Sequence, residues 1–204
     1  MGLMRPGATT DDEPATSRRE QILEAAADLF ARHGFKGVSI YAIGNAVGIS
    51  GPALYRHFAS KEALLAEMLI GVSRRLLNGG RQHVTTAGPG EESLRALIDS
   101  HVEFALAHPA LITVHFRDLD QVGRDEQRTV RRLQREYVEI WVAAIRGAFE
   151  GIGEDVARSA AHAVFGLINS TPHSARLAPD EARALLRAMA FSALLGAVRA
   201  GRGS

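Results

Sequence analysis

The chain has 204 residues, 46% of them hydrophobic, with no cysteine and a formal net charge of only +1. That size suits one domain or two small ones around a real core, and the lack of cysteine excludes disulfides, thiol nucleophiles and cysteine-based zinc sites. No apolar run, Met189 to Val198 included, approaches the roughly 20 residues of a membrane span. Asp11, Asp12 and Glu13 stand where a signal peptide needs an apolar stretch, so a cytoplasmic protein with no membrane role is expected.

Residues 1–16 are rich in Gly, Pro, Thr and acidic groups and read as a disordered tail. Ser17 and Glu20 have capping-box spacing and open a helix with Ile22, Ala26, Leu29 and Phe30 on its buried face and a stop at Gly34. Ser39 caps a short helix that turns Ile43, Ala46 and Val47 inward and breaks at Gly48. Ser50 caps a third, with Pro52 in its first turn and Leu54 and Phe58 toward the core. From Ser60 a long helix carries Leu64, Leu65, Met68, Leu69, Val72 and Leu76. It should end near Asn78-Gly79-Gly80, ahead of a loop from Thr85 to Gly90.

Helical spacing continues through Leu94, Leu97, Ile98, His101, Val102 and Ala105 as far as Pro109, then over Ala110 to Phe116. Arg117 to Arg128 is charged and expected to be exposed. A long amphipathic helix with Val130, Leu133, Tyr137, Trp141 and Ile145 follows, then helices over 154–170 and 179–200, separated near Pro172. With no convincing strand period, the chain reads as all-α with about nine helices. The expected division is a three-helix domain over 17–61 joined to a larger helical domain over 62–204.

Val38 to Lys61 holds two short helical patterns around a glycine turn, followed at once by aromatic and basic residues, the sequence form of a DNA-reading helix-turn-helix. Between Pro14 and Lys61 six basic residues face three acidic ones, a local balance suited to phosphate contact by one end. Ile22-Leu23-Glu24-Ala25-Ala26, Leu29-Phe30, Gly34-Phe35, Gly48-Ile49-Ser50, Ala53-Leu54-Tyr55-Arg56-His57-Phe58 and Ser60-Lys61-Glu62-Ala63-Leu64 together resemble the DNA-binding domain of the tetracycline-repressor (TetR) family of bacterial regulators. Two positions depart from that pattern: Gly44 stands where the family usually has alanine, and Tyr41 where a charged residue is common.

If the second short helix enters the major groove, Gly51, Pro52 and Ala53 meet base edges with little hydrogen-bonding capacity, and Tyr41 and Arg56 add readout. The resemblance assigns Tyr55, His57 and Lys61 to phosphate. Ser39 and Ser50 combine capping with phosphate contact, and Arg18 reaches the backbone or minor groove. Such regulators pair across a twofold axis. The expected interface is Val156, Ala160, Ala163, Val164 and Leu167 with Leu185, Leu186, Met189, Ala193 and Gly196, stripes whose small residues let helices approach closely.

The resemblance further implies a small-molecule effector in the larger domain. His101, Phe104, His108, His115, Phe116, Tyr137, Trp141 and Phe165 are its candidate lining, suited to a mostly hydrophobic ligand with one polar or anionic end. The seven-residue spacing of His101, His108 and His115 separates neighbours by about 10 Å along a helix, too far for one ion, so no metal is expected. No nucleophile elbow, zinc-protease motif or phosphate loop occurs, so neither catalysis nor a cofactor is expected. The leading expectation is a homodimeric, ligand-responsive repressor of a palindromic operator. The alternative is an all-α enzyme or interaction protein that carries a helix-turn-helix. Tyr55→Phe should weaken binding to any DNA and Tyr41→Ala should alter sequence preference. Gel-shift titrations in which both variants keep wild-type affinity and preference would misplace the reading surface.

Overall fold

Four serines set the start of the first four helices, each placing its hydroxyl under the backbone N–H three residues on. The computed structural model describes residues 17–174 and 177–201, so the predicted tail over 1–16 lies outside the described residues. α1 (Arg18–Gly37) begins with the complete Ser17–Glu20 capping box and is broken at Gly34, whose φ of 75° no side-chain-bearing residue adopts readily. α2 (Ile40–Ala46), α3 (Gly51–Leu54) and α4 (Lys61–Ala87) are capped by Ser39, Ser50 and Ser60, whose Oγ atoms accept from Ala42, Ala53 and Ala63 at 3.1, 3.3 and 3.0 Å. α5 (Glu91–Ala107), α6 (Pro109–Arg117) and α7 (Arg124–Ala148) follow, with one 3-10 turn at Leu119–Gln121 between α6 and α7. α8 (Glu154–Ile168), the single turn α9 (Thr171–Ser174) and α10 (Pro179–Gly201) complete an all-α chain among the described residues.

α5 is the innermost helix, packed against α4, α6, α7, α8 and α10, and its Leu94, Leu97, Val102 and Ala105 are fully buried. The apolar interior falls into two clusters. One is built on α5, α7, α8 and α10. The other fills the space between α1, α2, α3 and the first half of α4, and is closed by Val114 of α6, Val122 of the connection and Val130 of α7. No helix among the described residues is long and apolar enough to cross a membrane.

Several expectations change. α4 does not end at Asn78-Gly79-Gly80 but continues to Ala87. Gly80 is there for contact rather than termination: a Cβ on it would lie 2.8 Å from the Tyr137 ring, so its lack of a side chain lets α4 close on α7. Ala46 is exposed, not inward. The charged segment after α6 is not all solvated, because Asp118 is buried and pairs with Arg117, at 3.1 Å from Nε and 2.9 Å from Nη2. Arg117 also donates to the carbonyls of Phe30 and Ala31, in the last turn of α1 before the Gly34 break, and so fastens α6 to α1.

Lys61 is the other fastening. Its Nζ donates to the carbonyls of Phe35 and Val38, both at 2.8 Å, and sits 4.3 Å from the centre of the Phe35 ring. Two of the three N–H groups of this half-buried ammonium are thus engaged in the corner between α1, α2 and α4, a structural role beside the phosphate contact expected of it. Hydrogen bonds from a charged donor contribute roughly 1.5–3 kcal/mol each. Lys61→Met, which keeps the aliphatic stem, should lower unfolding stability by about 2 kcal/mol in urea titration. A residue that only touched phosphate would leave the urea midpoint unchanged.

Candidate functional site

The exposed corner is built from α2, the glycine turn and α3. Gly48, at φ 70°, reverses the chain, and Ile49 N–H returns to the Gly44 carbonyl at 2.9 Å. Gly44 needs its lack of a side chain: a Cβ would stand 2.8 Å from the Ile49 carbonyl oxygen, which accounts for the departure from alanine. Gly51 is buried rather than facing outward, because the Tyr41 ring lies over it, 2.5 Å from where a Cβ would be. The base-edge role expected of Gly51 is thus replaced by close packing, and Tyr41 both supports α3 and stays 63% exposed.

Pro52, Tyr55 and Arg56 are exposed around the same corner, Ala53 and His57 half-buried. Ser39 and Ser50 have their hydroxyls engaged as caps, leaving oxygen lone pairs and the helix N-termini on the surface. Arg18 is exposed and donates to Gln21 at 2.9 Å. Arg19, which sequence reading overlooked, holds the corner from behind. Its Nε donates to Glu67 at 2.6 Å, another nitrogen reaches the His57 carbonyl, and its guanidinium lies 4.2 Å from the Phe58 ring centre.

A second feature is a cavity of about 430 Å³ between α4, α6, α7 and α8. His101, His115, Phe116, Tyr137 and Phe165 line it as expected, and Gln134, His162 and Asn169 join them. Polar residues on otherwise apolar helix faces were the available signal for Gln134 and Asn169. Phe104, His108 and Trp141 are corrected: none of the three lines the cavity. Phe104 and His108 pack together with ring centres 5.1 Å apart. Trp141 is fully buried behind the wall, edge-on to Phe165 at 4.9 Å. Phe116 is 69% exposed at the rim.

His101 is held from both sides, Nδ1 to the Tyr137 hydroxyl and Nε2 to Asn169 Oδ1, each at 3.1 Å. An amide oxygen facing Nε2 places the hydrogen on that nitrogen, so the Tyr137 O–H donates to Nδ1. His115 Nε2 meets Gln134 Nε2 at 2.7 Å and accepts from it. Burial pushes both imidazoles down to about 4 from the ordinary 6.5. No group of three His, Cys, Asp or Glu among the described residues could hold a metal ion.

On the far side, α8 and α10 pack on each other and divide the expected interface. Ala160, Val164 and Leu186 are buried within the chain, so their expected place on an outer surface is corrected. Ala163, Ala193 and Gly196 are exposed, with Leu185 at 47% and Met189 at 46%, while Val156 and Leu167 are half-buried.

Comparison with known proteins adds the following. The family model for bacterial regulatory proteins of the tetR family matches residues 22–68, and that for a tetracyclin repressor-like C-terminal domain matches 87–173. The chain is 28% identical over 143 residues to the transcriptional repressor KstR2 of Rhodococcus jostii, covering 70% of each chain. It is 33% identical over 91 residues to the transcriptional activator FasR of Mycolicibacterium smegmatis, covering 45% of this chain and 42% of that one. The crystal structure of the regulator PfmR from Thermus thermophilus superposes with a TM-score of 0.76 at 25% identity, covering 88% of this chain and 97% of that one.

The low histidine pKa values carry a pH dependence. His101 stays neutral in the fold until about pH 4, whereas in the unfolded chain it takes up a proton near 6.5. Below pH 6.5 the unfolded chain binds more protons, so stability is full above that pH and declines toward pH 4, by up to about 3 kcal/mol from this residue. His101→Gln, which does not titrate, should show a smaller fall in urea midpoint between pH 7 and 4.5 than the wild type. Equal falls would remove His101 as the source.

Proposed function

Since the chain belongs to the tetR family of bacterial regulatory proteins, we propose that it represses transcription as a homodimer on a palindromic operator and releases it when a small, mostly apolar effector binds. Its relatives are regulators, and the enzyme alternative falls with them. In this reading residues 17–61 form the reading head, residues 62–204 hold the effector and dimerise, and the protein acts in the cytoplasm. KstR2 supports repression as the direction of control.

The observation that carries the reading is the exposed corner of Tyr41, Pro52, Tyr55 and Arg56, set on capped helix starts and braced from behind by Arg19 and Lys61. α3 with Pro52 and Ala53 is offered to base edges, where apolar contact reads the thymine methyl. Arg18, Tyr55, His57 and the N-termini at Ser39 and Ser50 are offered to phosphate, and Arg56, expected from sequence to add base readout, joins them because it follows the C-terminal end of α3 rather than its groove-entering start. One small head binds weakly, so two are joined through the exposed faces of α8 and α10, with half-sites about one helical turn, roughly 34 Å, apart.

An effector lodged between α4, α6, α7 and α8 acts by favouring one arrangement of the two heads over another. Two fastenings lead from the cavity to the head. His115 and Phe116 precede Arg117, which holds α1, and Val72, Ser73 and Leu76 lie on α4, whose first residue Lys61 holds the α1–α2 connection.

Gel-shift titration on promoter fragments tests this. Four free cations per dimer, Arg18 and Arg56 from each head, at about 0.9 each give a slope of log affinity against log salt of roughly −4. Binding to an inverted repeat with that slope is expected. A chain that shows no preference for any inverted repeat, or no salt dependence, is not acting as proposed.

A further inference from the structure

The chemistry of the cavity wall narrows what can occupy it. Among its lining residues there is neither lysine nor arginine, and the enclosed His101 and half-buried His115 imidazoles are neutral. The arginines that adjoin lining residues in sequence, Arg74, Arg75, Arg117 and Arg135, are exposed and none of them lines it; Arg75 lies over the Phe104 ring at 5.6 Å and Arg117 pairs with Asp118 at 2.9 Å. The third imidazole of the lining, His162, is exposed to solvent rather than set among the buried polar groups; at the buried end no cationic side chain meets an anion, and transferring a carboxylate out of water without a partner is strongly unfavourable.

The polar atoms that remain are matched donors and acceptors. With Asn169 Oδ1 occupied by His101, the Asn169 amide N–H groups are left as donors, and the Tyr137 oxygen, having donated its proton to His101 Nδ1, is left as an acceptor. With His115 Nε2 accepting from Gln134, the His115 Nδ1–H is a donor and the Gln134 Oε1 an acceptor. Ser73 adds little, since its hydroxyl donates to the Leu69 carbonyl at 2.8 Å. Around these atoms the surface is Val72, Leu76, Ile112, Val138 and Phe165.

We propose that the cavity selects an uncharged hydrophobic effector whose buried end carries a neutral hydrogen-bonding group, an amide, ketone, ester or thioester, received by Asn169 and Tyr137, and that it discriminates against the corresponding carboxylate. This rests on the reading of the cavity as the effector site and, of the polar or anionic end expected from sequence, keeps the polar one. Buried donors and acceptors of this kind discriminate strongly because a ligand without the matching groups leaves them unpaired.

The test uses decanamide and decanoate, which share chain length and shape and differ in the charge of the head group. Trp141 is the sole tryptophan, and it lies against Phe165 of the cavity wall, so its emission reports occupancy of this site. At pH 7.5 decanamide should bind at least about tenfold more tightly than decanoate, the discrimination expected when buried polar groups are matched or left unmatched. Asn169→Leu should reduce that ratio to below about threefold by weakening the amide alone. Gln134→Arg, which adds the missing cation, should turn the preference toward decanoate, with circular dichroism melts confirming that both variants are folded. Equal or tighter binding of decanoate to the wild type, or no binding of either compound, overturns the proposal. Operator binding measured without ligand is a separate readout: its loss would sink the regulator reading whatever the titration shows, and its persistence beside a failed titration would sink only the ligand class.

Discussion

The Lys61 ammonium, held between the Phe35 and Val38 carbonyls at 2.8 Å each, is the contact on which the rest of the molecule depends. Gly34 ends the regular turns of α1, and the chain then has to turn before Ser39 starts α2. The Phe35 carbonyl there receives only a long bond from the Val38 N–H, at 3.4 Å, and the Val38 carbonyl precedes α2, so both have capacity for a further donor. Lys61 supplies it from the first turn of α4, so the geometry of the turn and the direction of the longest helix become a single constraint. Arg19 repeats the device from the other side, joining the first turn of α1 to Glu67 on α4 and to the His57 carbonyl beneath the corner. The reading head is thereby fixed to α4 at two points, and the exposed tip of α3 moves with it.

The same logic explains how a cavity in one half can speak to a corner in the other. Protein interiors are densely packed and bistable rather than continuously soft, so a ligand acts through whichever contacts cannot yield. α6 is short, contributes His115 and Phe116 to the cavity, and ends in Arg117, whose guanidinium meets carbonyls in the last turn of α1 before Gly34 while Asp118 holds it in place. Val114, Val122 and Val130 close the core of the head from the same side. The head is therefore not an independent bead on a flexible joint. Part of its own hydrophobic interior comes from the helices around the cavity.

The cavity wall is mostly apolar with a few well-placed polar atoms, and its histidines illustrate how context decides chemistry. His101, His108 and His115 are equally spaced in sequence. One is fully enclosed between Tyr137 and Asn169, one packs against Phe104 outside the cavity, and one sits at the rim with Gln134. Burial keeps His101 and His115 neutral, which converts an apparent reserve of positive charge into hydrogen-bonding posts.

Local chemistry was legible from sequence wherever it was decided locally. The serine caps at 17, 39, 50 and 60, the glycine breaks at 34 and 48 and the helical spacing of the apolar residues determined the all-α class and the helix-turn-helix, because each depends on neighbours within one turn. What required the tertiary structure was everything set by partners far along the chain. Gly80 reads as a helix stop and is instead a contact point for Tyr137; Gly51 reads as a groove-facing tip and lies under Tyr41; the part of Lys61 in closing the fold has no mark in its neighbours. Ala160, Val164 and Leu186 share a stripe with exposed neighbours, and only the packing of α8 on α10 separates core from surface. A helical period says which residues share a face; what that face meets depends on helices brought together from tens of residues away.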